Sequence, residues 1–173
     1  MQRDGSDLNP PTVIAPTRMQ SIAMFCVFLS MTMGRLKAGA ALTSVGSGTW
    51  YHSLNKAPFN PPDWVFAPVW TCLYVMMAVA AWRVWCRVDA AGRKMALLLF
   101  TLQLSLNLYW SLLFFEQQLV GLAMAELLLL LIVISYTWVR FRAIDRMAGW
   151  LFLPYVIWVV FAGLLNGAIL ALN

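Results

Sequence analysis

Charge is scarce in this chain. Only 11% of its 173 residues are Asp, Glu, Lys or Arg, against about a quarter in a soluble domain, and so few cannot cover a globule of this size. That excludes an ordinary cytosolic domain, and 62% hydrophobic residues exclude a disordered chain. Acids number seven. The basic residues leave a net charge of +5 but are scattered between apolar runs, a pattern that speaks against nucleic acid as a partner. Histidine occurs once, at His52, and Cys26, Cys72 and Cys86 stand far apart without a C-x-x-C spacing, so no metal site is expected. The cysteines read as small hydrophobes. G-x-S-x-G, H-E-x-x-H, a glycine-rich phosphate loop and a carboxylate pair close in sequence are all missing, which leaves no template for acid–base or nucleophilic catalysis. No internal repeat is evident, and an inverted-repeat transporter is unsupported.

What the chain has instead is long apolar runs, with a mean hydropathy of +0.74. A membrane span needs roughly 20 apolar residues, and the runs are continuous rather than alternating, which reads as helices and not a barrel. The fold class is therefore an all-α integral membrane protein, a five-transmembrane-helix bundle. Helices are expected at about 19–44, 64–85, 95–115, 119–139 and 149–172, after a disordered polar tail over 1–18 that carries Pro10, Pro11 and Pro16. A cleavable leader over the first run is disfavoured because Arg35 and Lys37 sit where its cleavage region would be uncharged. Those two charges must face the bundle interior or a water-filled cavity, or snorkel to the headgroups. The first loop, about 46–63, is rich in Pro and aromatics (Trp50, Tyr51, Phe59) and is expected to cap the bundle rather than act as a linker.

Arg3, Arg18, Arg83, Arg87, Arg93, Lys94, Arg140, Arg142 and Arg146 fall on one side of the membrane in this topology, and only Lys56 on the other. Such asymmetry predicts a cytoplasmic N-terminus in a bacterial inner membrane, though an outer membrane would escape the rule.

Polar groups within spans are costly and ask for partners. Gln103, Asn107, Trp110 and Ser111 stand at i, i+4, i+7 and i+8 of the third span, on one helical face. Trp158, Ala162, Leu165 and Asn166 repeat that spacing in the fifth span, and Trp70 and Tyr74 share a face of the second. An interior of aromatics and a few amides suits a flat, largely apolar ligand with polar edges; interhelical hydrogen bonding and core packing use the same residues. Glu126, the one acid clearly inside a span, reads as a structural carboxyl, and His52 as a polar loop residue. Gly163-x-x-x-Gly167 is a close-approach pattern that serves equally within a monomer or across a dimer.

The stretch WYHSLNKAPFNPPDWVFAPVWTCLY (Trp50–Tyr74) resembles the signature of the TspO/MBR family of tryptophan-rich sensory proteins, translocator proteins and peripheral-type benzodiazepine receptors. QLSLNLYWSLLFF (Gln103–Phe115) and LPYVIWVVFAGLLN (Leu153–Asn166) resemble its third- and fifth-helix motifs. The resemblance covers about residues 20–173. It implies a five-helix bundle, often a homodimer, with the first loop over a ligand cavity. It implies porphyrins such as protoporphyrin IX and haem as ligands rather than obligatory cofactors, with sterols or other lipids as further partners. A membrane receptor or carrier that senses tetrapyrroles is the leading expectation. The alternatives are a transporter and a light- and oxygen-dependent porphyrin-degrading enzyme, the latter using Trp50 and Trp158 as its catalytic pair. By motif, the ligand site comprises Trp50, Tyr51, Trp64, Gln103, Asn107, Trp110, Trp158, Phe161, Ala162, Leu165 and Asn166. Three departures stand out: Ala57 replaces the usual Pro after the loop Lys, Arg35 and Lys37 are unusual in the first helix, and the chain ends at Asn173 without the C-terminal Tyr and Arg of animal members.

Overall fold

A computed structural model describes residues 15–46 and 50–173. Among these the chain is helical throughout, without strands, and five helices are long and apolar enough to cross a membrane. They are α1 (Arg18–Gly46), α3 (Phe66–Cys86), α4 (Arg93–Ser111), α5 (Val120–Ile144) and α6 (Arg146–Leu172), with a short α2 (Trp50–Ser53) in the first loop. The expected tail lies mostly outside the described residues, as does 47–49 of the first loop, and Arg18 already belongs to α1. Around the bundle α1 packs on α3, α3 on α6, α6 on α5, and α5 on α4, which returns to α1.

The interior is built from small and aromatic side chains. Met77, Ala78, Ala80, Ala81 and Val84 of α3 are fully buried and let neighbouring backbones approach. Phe100, Phe141 and Phe152 fill the space between α4, α5 and α6. Large apolar side chains such as Ile22, Leu98, Ile132, Ile157 and Leu164 point outward, the arrangement that lipid, not water, favours. Gly163 and Gly167 face Leu127 and Met124 of α5, so this close-approach pattern serves a contact within the monomer.

The boundaries differ from the expected ones in three places. The fourth span was expected to end near 139, ahead of Arg140 and Arg142, but α5 continues to Ile144, and the Asp145 amide still donates to the Phe141 carbonyl at 2.8 Å. The fifth was expected from 149, but α6 starts at Arg146, which leaves Asp145 as the entire connection. Charged residues end an apolar run without ending a helix, because the backbone ladder does not depend on side-chain polarity. The third helix starts at Arg93, just after Gly92, whose φ of 78° is the left-handed conformation that glycine adopts freely. Its far end widens into a π-helical turn, Leu112–Glu116, with the Gln117 amide donating to the Leu112 carbonyl.

Candidate functional site

Two clusters of rings flank the interior stripe of amides. The first lies beneath α2. Trp110 stacks on Phe114 with ring centroids 5.1 Å apart, and Trp50 meets the same Phe114 edge-to-face at 5.8 Å. Tyr51 contacts Phe114 and Phe115, and Lys56 Nζ sits 4.5 Å over the Tyr51 ring. The π turn makes this possible. On a regular α-helix Phe115 would be turned about 140° from Trp110, whereas here the two rings meet at 5.9 Å. Burial holds the Tyr51 phenol above its ordinary pKa; Asn60 pulls the other way and the Asp63 carboxylate adds to the rise.

The second cluster lies between α3 and α6. Trp70 stacks on Tyr74 at 5.5 Å and meets Tyr155 and Trp158 edge-on at 6.1 and 6.4 Å. Trp158 also contacts Phe66 and Phe161. Trp50 and Trp158 thus belong to different clusters, and among the described residues their rings make no contact with each other.

The amides bridge the clusters. Tyr74 donates its hydroxyl hydrogen to Asn107 Oδ1, tying α3 to α4. Trp110 Nε1 donates to Asn166 Oδ1 at 3.3 Å, and Asn166 Nδ2 donates to the Val120 carbonyl at 3.1 Å, tying α4, α6 and α5. Gln103 is fully buried on the same face of α4, one turn from Asn107, and neither its Oε1 nor its Nε2 has a partner among the described residues. Both Glu126 oxygens are also buried without a hydrogen-bond partner among the described residues, and the Tyr155 hydroxyl is buried close to Asn107, Tyr74 and Glu126. Arg35 is half-buried on α1, close enough for its charge to act on the Tyr74 hydroxyl. Ala162 is half-buried and Leu165 buried on α6, along the stripe that also carries Trp158 and Asn166.

Trp64 stands apart: it is 74% exposed in a short 3-10 turn. His52 is exposed on α2, 3.8 Å from Asp63 Oδ2. Tyr155 was not singled out in the sequence, although the L-P-Y-x-x-W motif contains it; four residues after Leu151 and three before Trp158, it shares the inward face of α6. Phe114 and Phe115 lie in the third-helix motif but gain their place only through the π turn. The first loop is held down at its far side by a reciprocal pair: the Asn55 amide donates to Asn173 Oδ1 at 2.9 Å, and Asn173 Nδ2 donates to the Asn55 carbonyl at 3.1 Å.

Five apolar helices with lipid-facing exteriors, an aromatic first loop and an amide-bearing interior define an integral, multi-pass membrane protein with a polar-edged aromatic core. Residues 23–172 match the sequence model of the TspO/MBR family, and the chain belongs to that family. It is similar to the tryptophan-rich protein TspO of Chlorobaculum tepidum, 38% identical over 153 residues that cover 86% of this chain and 93% of that one. The tryptophan-rich sensory protein of Cereibacter sphaeroides is 36% identical over 151 residues, 87% and 92% of the two chains. The translocator protein of Bos taurus is 35% identical over 130 residues, 74% and 77%.

Proposed function

We propose that this protein is a membrane sensor or receptor for a flat, largely apolar ligand with polar edges, of the tetrapyrrole class, held between the first loop and the amide stripe of α4 and α6. The observation that carries this reading is Gln103. A buried amide with no partner costs about 1–3 kcal/mol, and its position one turn from Asn107, on the helix face that also carries Trp110, suits a ligand that brings both π-faces and hydrogen-bonding edges. Arg35, whose charge acts on the Tyr74 hydroxyl, supplies a cation for a ligand carboxylate, and no ion pair among the described residues engages it. The name of one relative, tryptophan-rich sensory protein, agrees with a sensing role.

The test is a titration of purified protein with protoporphyrin IX or haem, followed by Trp fluorescence. Saturable quenching at micromolar ligand is expected. Gln103→Leu removes the unsatisfied amide without changing the volume much, so it is expected to stabilise the protein while weakening the ligand. No saturable quenching in the parent overturns the reading. The same proposal sets the basic end of the bundle on the cytoplasmic side and pairs two copies in the membrane, testable by cysteine accessibility from each side and by cross-linking in native membranes.

A further inference from the structure

A cavity opens at the end of the bundle opposite the first loop. It measures about 570 Å³ and is lined by Arg83 from the last turn of α3 and Arg87 just after it, Arg142 from the last turn of α5, Arg146 from the first turn of α6, and the apolar Met147 and Trp150. Asp145 is its single carboxylate.

The electrostatics of this cavity are one-sided. Asp145 is fully engaged: Arg83 reaches it through Nε and Nη2, each at 3.0 Å, Arg87 through Nε at 3.0 Å and Nη2 at 2.6 Å, and the Ala148 amide donates to it at 2.8 Å. One negative charge therefore faces four guanidiniums. Arg83 and Arg87 each retain an Nη1 without a protein partner among the described residues. Arg142 is held over the Trp138 and Trp150 rings, 5.7 and 5.9 Å from their centroids, and like Arg146 it has no carboxylate partner among the described residues. Arginine forks of this kind match phosphate oxygens. The cavity is also rigid, because Asp145 clamps the end of α3 to the α5–α6 turn.

Its position decides the source of the phosphate. The cavity lies where three spans of 24, 25 and 27 residues end, and helices of that length reach past a hydrocarbon core of about 30 Å, which puts their ends among the headgroups. Trp150 and Met147, exposed by 62% and 53%, continue it into the lipid-facing surface. Tryptophan at that depth marks the bilayer interface, and basic pockets between span ends suit anionic headgroups. The volume fits a small headgroup with its glycerol, within the roughly 300–1,000 Å³ usual for ligand sites. We infer that this cavity is a binding site for the phosphate headgroup of an anionic phospholipid in the adjoining leaflet, with Arg142 and Arg146 as the principal phosphate ligands and Trp150 against the glycerol and upper acyl chain.

The experiment is lipid retention by native mass spectrometry of the full chain at about 0.15 M salt, where charges beyond about 8 Å are screened. The probes are phosphatidylglycerol, phosphatidylcholine and free glycerol 1-phosphate. The parent is expected to retain phosphatidylglycerol over phosphatidylcholine, and Arg142→Gln with Arg146→Gln to weaken that preference roughly thirtyfold. Arg146→Glu is the second variant, since this exposed side chain supports no packing, and it is expected to abolish the preference. Arg18→Gln with Lys94→Gln removes two charges from the same end outside the cavity and is expected to leave the preference intact. Equal retention of the two lipids overturns the inference, as does an equal loss in the Arg18/Lys94 pair, which would assign binding to diffuse surface charge. Displacement of phosphatidylglycerol by an equal concentration of glycerol 1-phosphate also overturns it, since the site would then take a free anion.

Discussion

Replacing Asp145 is the sharpest test of how the bundle is held together at its basic end. The carboxylate does three things at once: it caps α6 through the Ala148 amide, receives both Nε and Nη2 of Arg83, and receives Arg87. The side chain is 2% exposed, whereas Arg83 and Arg87 are 33% and 55% exposed, so the arginines rehydrate when it is removed and the full penalty of a stranded buried charge does not apply. Loss of an N-cap costs about 1 kcal/mol. The Arg83 interaction, charge-assisted and partly shielded, is worth about 1.5 kcal/mol, and the more exposed Arg87 adds a few tenths after screening. Asp145→Ala is therefore expected to destabilise by about 3 kcal/mol. Asp145→Asn keeps an oxygen for the cap and loses the charge, so it is expected to cost about 2 kcal/mol.

The assay is equilibrium unfolding in mixed dodecylmaltoside–SDS micelles, followed by far-ultraviolet circular dichroism. Burial by itself would raise the Asp145 pKa, but the hydrogen bonds from Arg83, Arg87 and the Ala148 amide outweigh it and hold the carboxyl well below its ordinary range. A depressed folded-state pKa means the stabilisation is complete above the unfolded value of about 3.9 and declines as pH falls below it. The parent should lose stability as pH falls below about 4 more steeply than Asp145→Asn, which has no such proton to take up. An Asn variant as stable as the parent, with the same acid limb, would refute the clamp.

Gly149 sits where α6 leaves the turn, and a Cβ there would lie 2.6 and 2.9 Å from Arg142 Cβ and Cα. Gly149→Ala must push α5 and α6 apart, with an expected loss of about 1–3 kcal/mol by the same unfolding assay. Asn107→Ala breaks one interhelical hydrogen bond and Asn166→Ala two, and each variant should cost about 1 kcal/mol; if both are as stable as the parent, these amides are not helix glue. Trp158→Phe keeps its contacts with Phe66 and Phe161 in reduced form and is expected to retain much of the proposed porphyrin affinity, read by absorbance titration. Illumination of that complex beside dark and protein-free controls then asks whether light-dependent porphyrin loss depends on this indole, and an unchanged rate assigns it to packing.

The parts of this molecule that were legible from sequence share one property: they depend on a period within a single element. Five spans follow from apolar run length, and the stripes Gln103–Asn107–Trp110 and Trp158–Ala162–Asn166 follow from helical spacing, which survives whatever the helices pack against. What was not legible depends on how elements meet. Trp64 and Trp50 look alike in the first-loop motif, yet one is exposed and the other packs on Phe114, because a loop has no period to assign a face. The separation of Trp50 and Trp158 into two ring clusters is a relation between α2 and α6, more than a hundred residues apart.

Asp145 is the instructive middle case. An Asp before an apolar run is a readable helix-start signal, and the site's local half was available at Asp145-Arg146. Its other half, Arg83 and Arg87, comes from a helix end some sixty residues earlier, and the count of basic residues alone treated all of them as one class of loop charge. The structure divides that class. Arg83 and Arg87 are joined to the turn by a shared carboxylate, Arg93 caps the Trp85 carbonyl at 2.8 Å, and Arg142 and Arg146 carry charge that no acid among the described residues answers. The asymmetry that sequence reading assigned to topology is thus spent on different tasks at one end of the bundle. Two arginines hold helices together, one satisfies a helix terminus, and two, without an acid partner among the described residues, line the cavity proposed for a lipid phosphate.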